Sequence, residues 1–490
     1  MGFAATSSAV VIGLSGYVVR IEADLSPGQP GFHLLGLPEA TAACTRDRVR
    51  AAILNSGYTW PDRRITVTVL PIGTPVYGAA LDVAIAVAIL AADGTIPIER
   101  LEHTAFLGEL GLDGSIRHVR GLPCALQALV TSGIRCVAIP AGNATDGARC
   151  ALLPAATLAD LVGHLNRGIP AIAPSPQVQD MPPILDLADL PGNHAARHAL
   201  EISAAGGHHL LLIGDGPATM LAERLPGILP DLTEATVDEV AEIHALTETP
   251  RRNWRPPLCA PHYTNTTAAI FGRRSGGRIR PGAVSLAHAG VLFLDQAPEF
   301  ARSILHGLRR PLENGEILLA DWEGIVRLPA RFQLLLATSP CPCGGIGSCR
   351  CGPVERRHYL ARLAALRDRI EITAPIHPLD RTAEPGEPGE SSATVADRVA
   401  AARARTAHRL TGTPWRTNAE VPARELRTCH RLHPEAVDLL EDRLRAGAIT
   451  PSTLTCLLRL SWTLADLREA ARPSRDDAQR ALRLWQGEPA

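Results

Sequence analysis

The stretch "HHLLLIGDGPATMLAERLPGILPDL" (residues 208–232) sets a glycine-rich turn between a predicted strand and a predicted helix. The apolar run 209–213 is typical of a buried strand, and residues 219–225 have the pattern of the first turns of a helix. The turn between them, "GDGPA", is of the kind that holds phosphate at a helix N-terminus. Such turns normally carry a lysine before the threonine, and Ala218 stands there instead. The stretch is therefore a nucleotide site, an altered one, or a simple turn.

The composition of the chain excludes some kinds of chemistry. A length of 490 residues predicts two or three domains, and an apolar fraction of 46% predicts a folded protein. The net charge of −1 argues against a globally basic nucleic-acid binder but leaves room for a local arginine patch. All 49 positive charges are arginine, so a mechanism that needs a lysine amine from this chain is excluded.

Targeting features are absent from the sequence, and this predicts a cytoplasmic protein. The first charged residue is Arg20, so the apolar N-terminus lacks the basic region of a secretory signal. Because no window is long and apolar enough for a membrane span, we expect no membrane partner. Eleven cysteines, seven scattered and four clustered, favour a reducing compartment over a disulfide framework.

Alternating and continuous apolar runs predict the local elements. Strand-like alternation occupies 16–25 and 63–71, helical patterns occupy 39–57 and 80–94, and "LDGS" predicts a hairpin turn within 103–119. Further on, the runs "LLLIG", "GVLFLD" and "FQLLLATS" are compact and apolar, with helical or irregular segments between them. That layout predicts a parallel, doubly wound sheet.

The order of these elements divides the chain into five segments. Residues 1–167 mix strands and helices, and the Pro-rich stretch 168–183 predicts a linker. Residues 184–376 carry the parallel-sheet pattern. Residues 377–396, with "EPGEPGESS", predict a second linker, and 397–490 predict an all-helical region.

Long collinear stretches identify a family resemblance. They include "FHLLGLPEA", "RDRVRAAILNSGY", "ALEISAAGGHHLLLIG", "RPGAVSLAHAGVLFLD", "LPARFQLLLATSPCPCG" and "TLADL". Over nearly its whole length the chain resembles the YifB/ComM-type, magnesium-chelatase-like (ChlI-like) AAA+ ATPases. The resemblance implies an α/β protein with an N-terminal α+β domain of the Lon-protease and ribosomal S5 type. A P-loop AAA+ core with Mg²⁺ and ATP and a C-terminal helical lid would follow, usually assembled as a hexameric ring. The best-understood members resemble DNA branch-migration motors of natural transformation.

The phosphate loop departs from the pattern of this family. The family has G-x-x-G-x-G-K-T, whereas this chain has Gly214, Asp215, Gly216, Pro217, Ala218 and Thr219. The loop is two residues shorter, has no lysine, and loses one backbone N–H at Pro217. Asp215 adds negative charge where phosphates would lie. Thr219 could still offer its hydroxyl to Mg²⁺, but the loop as a whole predicts loss of ordinary ATP binding.

Five further positions bear on ATP hydrolysis. Asp295 matches the magnesium-binding carboxylate of the family, but Gln296 replaces the glutamate that polarises water, and an amide is no general base. Ser339 stands where the family has the asparagine that orients the water. Ser452 stands where it has an arginine that touches the γ-phosphate. Arg369, in "DRIE", is kept as a candidate arginine finger acting in trans. Together these residues predict a pseudo-ATPase.

Peptidase activity is not expected of the N-terminal domain. Lon-type proteases use a Ser–Lys dyad, and this chain has no lysine. Where the family has Pro-Lys-Glu-Gly, residues 75–78 are "PVYG". A folding or interaction role is therefore the better expectation for this domain.

A cysteine cluster predicts a metal site. The stretch "CPCGGIGSCRC" has C-x-C-x5-C-x-C spacing, and its glycines allow the chain to turn back. Four thiolates suit tetrahedral Zn²⁺, which would be structural because no ligand position stays open. Free or redox-active thiols are the alternative. The predicted ligands are Cys341, Cys343, Cys349 and Cys351.

The predicted hairpin 315–332 and two arginine-rich runs bear on DNA. In the family this hairpin points into the ring pore, but its tip here is Asp321, Trp322 and Glu323, whose acids repel a DNA backbone. Trp322 could stack on a base or anchor packing. The basic runs 251–255 and 271–280 could bind DNA or form solvated loops.

Three functional hypotheses follow. The first is a nonhydrolysing family member that acts as a structural or regulatory subunit in a homo- or hetero-oligomer, with an active AAA+ protein or a DNA-processing complex as partner. The second is an ATP-driven ring motor on DNA with an unorthodox nucleotide site. The third is a decaying gene product without a role.

Overall fold

The computed structural model describes residues 2–71, 80–143, 149–168, 185–247, 253–275, 278–321, 324–343, 349–378 and 389–488. Three features predicted from the sequence lie outside these ranges: the segment 75–78, nearly all of the linker 168–183, and part of the linker 377–396. The domain boundaries therefore stay predictions.

A mixed sheet forms the centre of the N-terminal region. Its strands have the order β3-β4-β2-β1-β5-β8-β9, with β6 and β7 as a separate antiparallel pair. The strands are β1 Gly2–Ile12, β2 Ser15–Ser26, β3 Gly31–Leu35, β4 Arg64–Leu70, β5 Thr104–Phe106, β6 Glu109–Leu110, β7 Ile116–Arg117, β8 Cys136–Pro140 and β9 Ala151–Ala155. The helices are α1 Glu39–Asn55, α2 Asp82–Ala92, α3 Leu122–Thr131 and α4 Leu158–Arg167.

The pattern of apolar and polar residues in the N-terminal region explains most of its strands and helices. Strand β2 alternates as predicted, and its inward side chains from Val19 to Leu25 are fully buried. Helix α2 is apolar on every face and is buried along its whole length. The strand β1 is not predicted by its sequence. Its inward positions include Thr6 and Ser8, whose hydroxyls donate to the carbonyls of Ala84 and Phe106 at 3.0 and 2.7 Å.

A parallel sheet forms the core of the middle region, as the apolar runs predict. Its order is β11-β14-β17-β10-β18, and every pair in it is parallel. These strands are β10 Leu210–Gly214, β11 Leu258–Cys259, β14 Val291–Leu294, β17 Gln333–Thr338 and β18 Ile372–Ile376. Strands β14 and β17 are buried at every position, as expected of strands covered on both faces.

Helices and two hairpins surround this sheet. The hairpins are β12 Gly272–Ser275 with β13 Arg278–Pro281, and β15 Glu316–Asp321 with β16 Gly324–Pro329. The helices are α5 His194–Gly206, α6 Ala218–Ile228, α7 Glu234–Ala245, α8 Thr267–Phe271, α9 Ala283–Leu286, α10 Arg302–Gly307, α11 Arg309–Asn314, α12 Pro353–Ala361 and α13 Ala364–Arg367. Single 3₁₀ turns lie at Leu187–Asp189 and Ala297–Glu299.

The C-terminal region is helical, as predicted. Its helices are α14 Ser392–Arg409, α15 Ala423–Arg427, α16 Pro434–Arg445, α17 Pro451–Leu467 and α18 Arg475–Gln486. Helix α14 begins within the stretch assigned to the second linker, because the Ser391 side chain accepts the Thr394 N–H and caps it. These helices share one hydrophobic core with α5, β10 and β18. The chain thus combines an N-terminal domain, an α/β core and a C-terminal helical part. In the described ranges, no helix has the length and apolarity to cross a membrane.

Buried polar side chains join the sheet to the C-terminal helices. The carboxylate of Glu371, next to β18, lies 3.0 Å from His208 Nδ1, and His208 Nε2 lies 2.7 Å from the Thr463 hydroxyl on α17. Burial would raise the pKa of Glu371, but His208 and Arg459 overcome this and lower it to about 2. This carboxyl group therefore stays ionised in the folded protein. Its ionised form stabilises the fold when the pH is above the pKa that Glu371 has in the unfolded chain. That contribution is lost as the pH falls from about 4.5 to about 2.

A second carboxylate extends this connection within the helical part. Asn418 donates to Thr463 Oγ1 at 3.0 Å and to Asp466 Oδ2 at 2.9 Å. Arg409 forms a two-pronged ion pair with Asp466, whose side chain is only 2% exposed. A buried carboxylate with this many donors holds α14 and α17 together.

The substitution Asp466→Asn should therefore lower the free energy of unfolding by about 3 kcal/mol, because it leaves Arg409 without its buried counter-charge. The matched control is Glu469→Gln, which removes a carboxylate that pairs with Arg405 but whose side chain is 73% exposed. That change should cost less than about 1 kcal/mol. Urea denaturation followed by circular dichroism measures both. Equal effects of the two changes would contradict this account.

Candidate nucleotide site and cysteine cluster

The carboxyl ends of three neighbouring strands bring together most of the predicted nucleotide-site residues. Gly214 ends β10, Asp295 follows β14, and Ser339 follows β17, which lies between the other two strands. Ligands of open α/β sheets bind at this edge. Thr219, on the first turn of α6, lies with its hydroxyl 3.5 Å from Asp295 Oδ2. The hydroxyl and the carboxylate that would hold Mg²⁺ in the family are therefore close together.

The turn between β10 and α6 closes on itself. Pro217 has φ −80° and ψ 62°, the conformation of an inverse γ-turn. The Ala218 N–H accordingly donates to the Gly216 carbonyl at 2.9 Å. Pro217 has no N–H of its own. Two consecutive backbone positions at the start of α6 thus offer no donor to a phosphate group.

The same turn lies directly on the backbone at the end of β18. A Cβ atom added at Gly214, whose φ is +147°, would lie 1.9 Å from the Ile376 carbonyl oxygen. A Cβ atom at Gly216 would lie 2.6 Å from the His377 carbonyl oxygen. Only glycine fits at these two positions, because the backbone of another strand approaches so closely.

Asp215 is unfavourable for a phosphate ligand. Its Oδ1 atom is buried and has no hydrogen-bond partner among the described residues. A buried carboxylate oxygen without a donor is costly, and an anion beside it would add repulsion. The loop residues do not fit a triphosphate, because the Ala218 N–H is bonded within the turn, Pro217 has no N–H, and Asp215 adds an acid.

The residues around Asp295 are arranged by an unusual backbone conformation. Gln296 has φ +50°, and its N–H donates to Asp295 Oδ1 at 2.8 Å. Both side chains are exposed to solvent. Beside them, the Ser339 carbonyl accepts a hydrogen bond from the Thr338 hydroxyl at 2.9 Å. Neither Gln296 nor Ser339 has a side chain that can act as a general base near neutral pH.

Arg369 and Ser452 lie at the opposite edge of the sheet. Both line an open cavity of about 1030 Å³ at the amino ends of the strands, together with His209 and Arg459. Arg369 forms an ion pair with Glu313, and both side chains are partly exposed. The structure therefore places Arg369 and Ser452 on the same cavity but keeps both away from the phosphate loop of their own chain. Sequence reasoning missed Glu313, which lies 56 positions away along the chain.

The four predicted metal ligands converge after β17. The ligand atoms of Cys341, Cys343, Cys349 and Cys351 all lie within 4.8 Å of one another. Three of the Sγ–Sγ distances are 3.2, 3.3 and 3.4 Å, too long for a disulfide bond. A Zn–S distance of about 2.3 Å allows sulfur separations only slightly larger than these. The cluster could therefore hold a metal ion.

The electrostatics of the cluster favour a thiolate at one position. Hydrogen bonds from the Cys351 backbone and from the neighbouring thiols, with Arg356, lower the pKa of Cys349 to about 6. Hydrogen bonds with Cys343 and Cys349 raise the pKa of Cys341 to about 12. Metal ligation requires thiolates, so one ligand is already prepared for it.

The two hairpins of the core region are antiparallel. Strands β15 and β16 form the hairpin predicted for residues 315–332, with Asp321 opposite Gly324. The side chains of the tip 321–323, on which the expectation about DNA rests, lie outside the described part of the chain. Arg251 and Arg252 of the first basic run lie outside it as well.

Comparison with known proteins gives near full-length matches. An uncharacterized protein of Mycobacterium tuberculosis is 42% identical over 494 residues, which cover 98% of each chain. The uncharacterized protein YifB of Escherichia coli is 36% identical, covering 98% of this chain and 97% of YifB. The competence protein ComM of Haemophilus influenzae is 35% identical, covering 96% of this chain and 94% of ComM. This chain belongs to the YifB/ComM-type magnesium-chelatase family.

Family models agree with this membership and cover most of the chain. The magnesium chelatase subunit ChlI model matches residues 186–383. A second ChlI model matches residues 21–143, and the ChlI C-terminal model matches residues 389–484. Within this YifB/ComM-type protein, the parallel sheet is thus the AAA+ core, and the final helices are its C-terminal part.

The close approach of the phosphate loop to β18 predicts a stability effect. Gly216→Ala should lower the free energy of unfolding by about 1–3 kcal/mol, because the new methyl group meets backbone that cannot move aside. Gly142→Ala is the control, since nothing lies within 4 Å of a Cβ atom there. It should change the stability by less than about 0.5 kcal/mol. Thermal melts compare the two variants, and a Gly216→Ala protein as stable as the control would show that the loop is open.

Proposed function

We propose that this chain is a nonhydrolysing member of the YifB/ComM-type family that acts as a structural or regulatory subunit. The observation that carries the proposal is the closed turn between β10 and α6. There the Ala218 N–H donates to Gly216 instead of facing a ligand. A phosphate loop works through several N–H groups aimed at the phosphates together with a lysine charge. In this chain the lysine is absent, and positions 217 and 218 offer no N–H to a phosphate.

Loss of hydrolysis is supported separately by the second strand of the site. Gln296 cannot take a proton from water, because an amide is not basic near neutral pH. Ser339 is shorter than the asparagine expected from the family, so it would hold a water less firmly. The magnesium position alone is retained, since Thr219 and Asp295 remain 3.5 Å apart. That pair favours the second candidate function, an ATP-binding ring motor on DNA.

The regulatory role rests on the opposite edge of the core. Arg369 and Ser452 lie far from the phosphate loop of their own chain, so in a ring they would face a neighbouring subunit. We propose an active AAA+ protein as that neighbour, with Arg369 exchanging Glu313 for a phosphate bound to the partner. In an oligomer of this chain alone, Arg369 would keep Glu313. The name of the relative ComM, a competence protein, suggests a DNA-processing complex as the setting.

The other domains would supply the scaffold. We assign residues 1–167 to a Lon-protease-like domain without peptidase activity, because the chain has no lysine for a Ser–Lys dyad. We assign a structural Zn²⁺ to the four clustered cysteines, where it would stiffen the segment after β17. None of the eleven cysteines forms a disulfide bond, which supports a cytoplasmic location.

Nucleotide binding tests the proposal. Calorimetry with millimolar Mg²⁺-ATP should give no binding heat for the unaltered chain. A variant in which residues 214–219 are replaced by the family pattern G-x-x-G-x-G-K-T should bind, because it regains the N–H groups and the lysine. The Gln296→Glu variant alone should not hydrolyse ATP, because it restores the carboxylate without restoring phosphate binding by the loop. The proposal fails if the unaltered chain binds Mg²⁺-ATP in the micromolar range and hydrolyses it, and if Asp295→Ala abolishes the hydrolysis.

Metal analysis tests the zinc assignment. The purified protein should carry about one Zn²⁺ per chain, and Cys349→Ser should lose it because three thiolates hold Zn²⁺ less tightly than four. The control is Cys429→Ser, which removes an exposed cysteine outside the cluster. Elemental analysis by mass spectrometry gives the content. Zinc retained in full after Cys349→Ser would refute the assignment.

A further inference from the structure

The two strands that meet at the phosphate loop are also joined where they begin. Strand β10 begins two residues after His208, and β18 begins directly after Glu371. The His208 Nδ1 atom lies 3.0 Å from the Glu371 carboxylate, and the His209 N–H donates to the same carboxylate at 3.1 Å. These hydrogen bonds hold the amino ends of β10 and β18 next to each other.

A buried contact with the C-terminal helices completes this junction. The Thr463 hydroxyl on α17 lies 2.7 Å from His208 Nε2 and accepts a hydrogen bond from Asn418 at 3.0 Å. Gly206, at the end of α5, lies directly against this contact. A Cβ atom there would lie 2.2 Å from His208 Nε2 and 2.3 Å from Thr463 Oγ1. Only glycine therefore allows α17 to reach the start of β10.

The ladder between β10 and β18 extends from this junction to the phosphate loop. Its pairs run from Leu210 opposite Ile372 to Gly214 opposite Ile376, a length of about 13 Å at the usual rise of a strand. At its far end a Cβ atom at Gly214 would lie 1.9 Å from the Ile376 carbonyl oxygen. The closed loop therefore depends on the alignment of the two strands, because a shift of β18 would move this carbonyl into the loop or away from it.

We propose that the junction of His208, Glu371 and Thr463 holds the phosphate loop closed, as an autoinhibitory contact between α17 and the core. The junction fixes the amino ends of β10 and β18, the ladder carries this alignment to the carboxyl ends, and the loop closes on the end of β18. A binding partner that displaces α17 removes the Thr463 hydroxyl from His208 and loosens the alignment, and the loop opens. The position of α17 and the state of the loop are then coupled through one continuous set of contacts.

This inference rests on the proposed function, because it describes how the loop of a nonhydrolysing subunit is kept closed. Its test uses no nucleotide, so the two can fail separately. Absence of coupling between α17 and the loop would leave the proposal about ATP in place. Binding and hydrolysis of Mg²⁺-ATP by the unaltered chain would contradict the proposed function and leave a measured coupling intact.

Hydrogen–deuterium exchange of the full chain, followed by mass spectrometry, tests the junction. Thr463→Val removes the hydroxyl and keeps the shape of the side chain. Exchange of the peptide covering residues 214–221 should become about fivefold faster, as expected for the loss of one buried hydrogen bond. Thr463→Ser, which keeps the hydroxyl, should leave this exchange unchanged.

The matched control is Thr406→Val in the same network. Thr406 is as buried as Thr463, donates to Asp466 at 2.9 Å and accepts from Asn418 at 3.3 Å, so its hydrogen bonds join only the C-terminal helices to one another. Each variant is measured at the same interval below its own melting temperature, so that a general loss of stability affects both alike. Thr406→Val should leave exchange of the loop peptide unchanged.

Two results with these variants would overturn the proposal: equal exchange of the loop peptide in Thr463→Val and Thr406→Val, or exchange in Thr463→Val as slow as in the unaltered chain. If Thr463→Val does not fold, the unaltered chain is measured in increasing urea below its unfolding transition. The peptides covering 214–221 and 455–467 should then respond to urea alike, since one opening exposes both. A loop that opens with a different dependence on urea would also overturn the proposal.

Discussion

The parallel pairing of β10 with β17 on one side and β18 on the other is the interaction on which the core depends. Leu210 lies opposite Leu335 in one pair and opposite Ile372 in the other. This pairing brings the ends of β10, β14 and β17 to one edge, where the phosphate loop, Asp295 and Ser339 meet. The amino ends meet at the other edge, where Arg369 and Ser452 line the same cavity. The two edges of the sheet therefore hold two separate groups of the residues singled out from the sequence.

The length of the connection after β10 decides what the first edge can do. Three residues separate the end of β10 at Gly214 from the start of α6 at Ala218. So short a connection with a proline in it closes as a γ-turn and lies flat on the end of β18. Under the proposed function, a lysine alone would not restore phosphate binding, because the Ala218 N–H would still donate to Gly216 and Pro217 would still have no N–H. Gln296 and Ser339 support the proposal that this site does not hydrolyse ATP.

The sequence predicts the parts of the fold that depend on local pattern. Strands β14 and β17 are continuous apolar runs, so their place in a buried parallel sheet follows from composition. Strand β1 escapes prediction because Thr6 and Ser8 interrupt its alternation, and only their hydrogen bonds to distant carbonyls explain their burial. The cysteine cluster could be predicted because the spacing of its four cysteines is evident in the sequence. The pairing of Arg369 with Glu313 depends on the three-dimensional approach of two segments and leaves no local signal.

The closed conformation of the turn between β10 and α6 could not be predicted from the sequence either, although the sequence shows its Gly-Pro dipeptide. A proline fixes φ but not ψ, and it is ψ at Pro217 that directs the Ala218 N–H to Gly216. In the phosphate loops of the family those N–H groups face the ligand instead. The proposed loss of phosphate binding thus depends on one backbone torsion at the start of α6.

Hydrogen–deuterium exchange of the peptide covering residues 214–221 tests this central claim most directly. Mass spectrometry follows its exchange with and without millimolar Mg²⁺-ATP. Because the Ala218 N–H already has an internal acceptor and Pro217 has no N–H, we expect identical exchange in both conditions. Slower exchange of this peptide when Mg²⁺-ATP is present would contradict the account, since it would mean that the loop opens and holds the nucleotide.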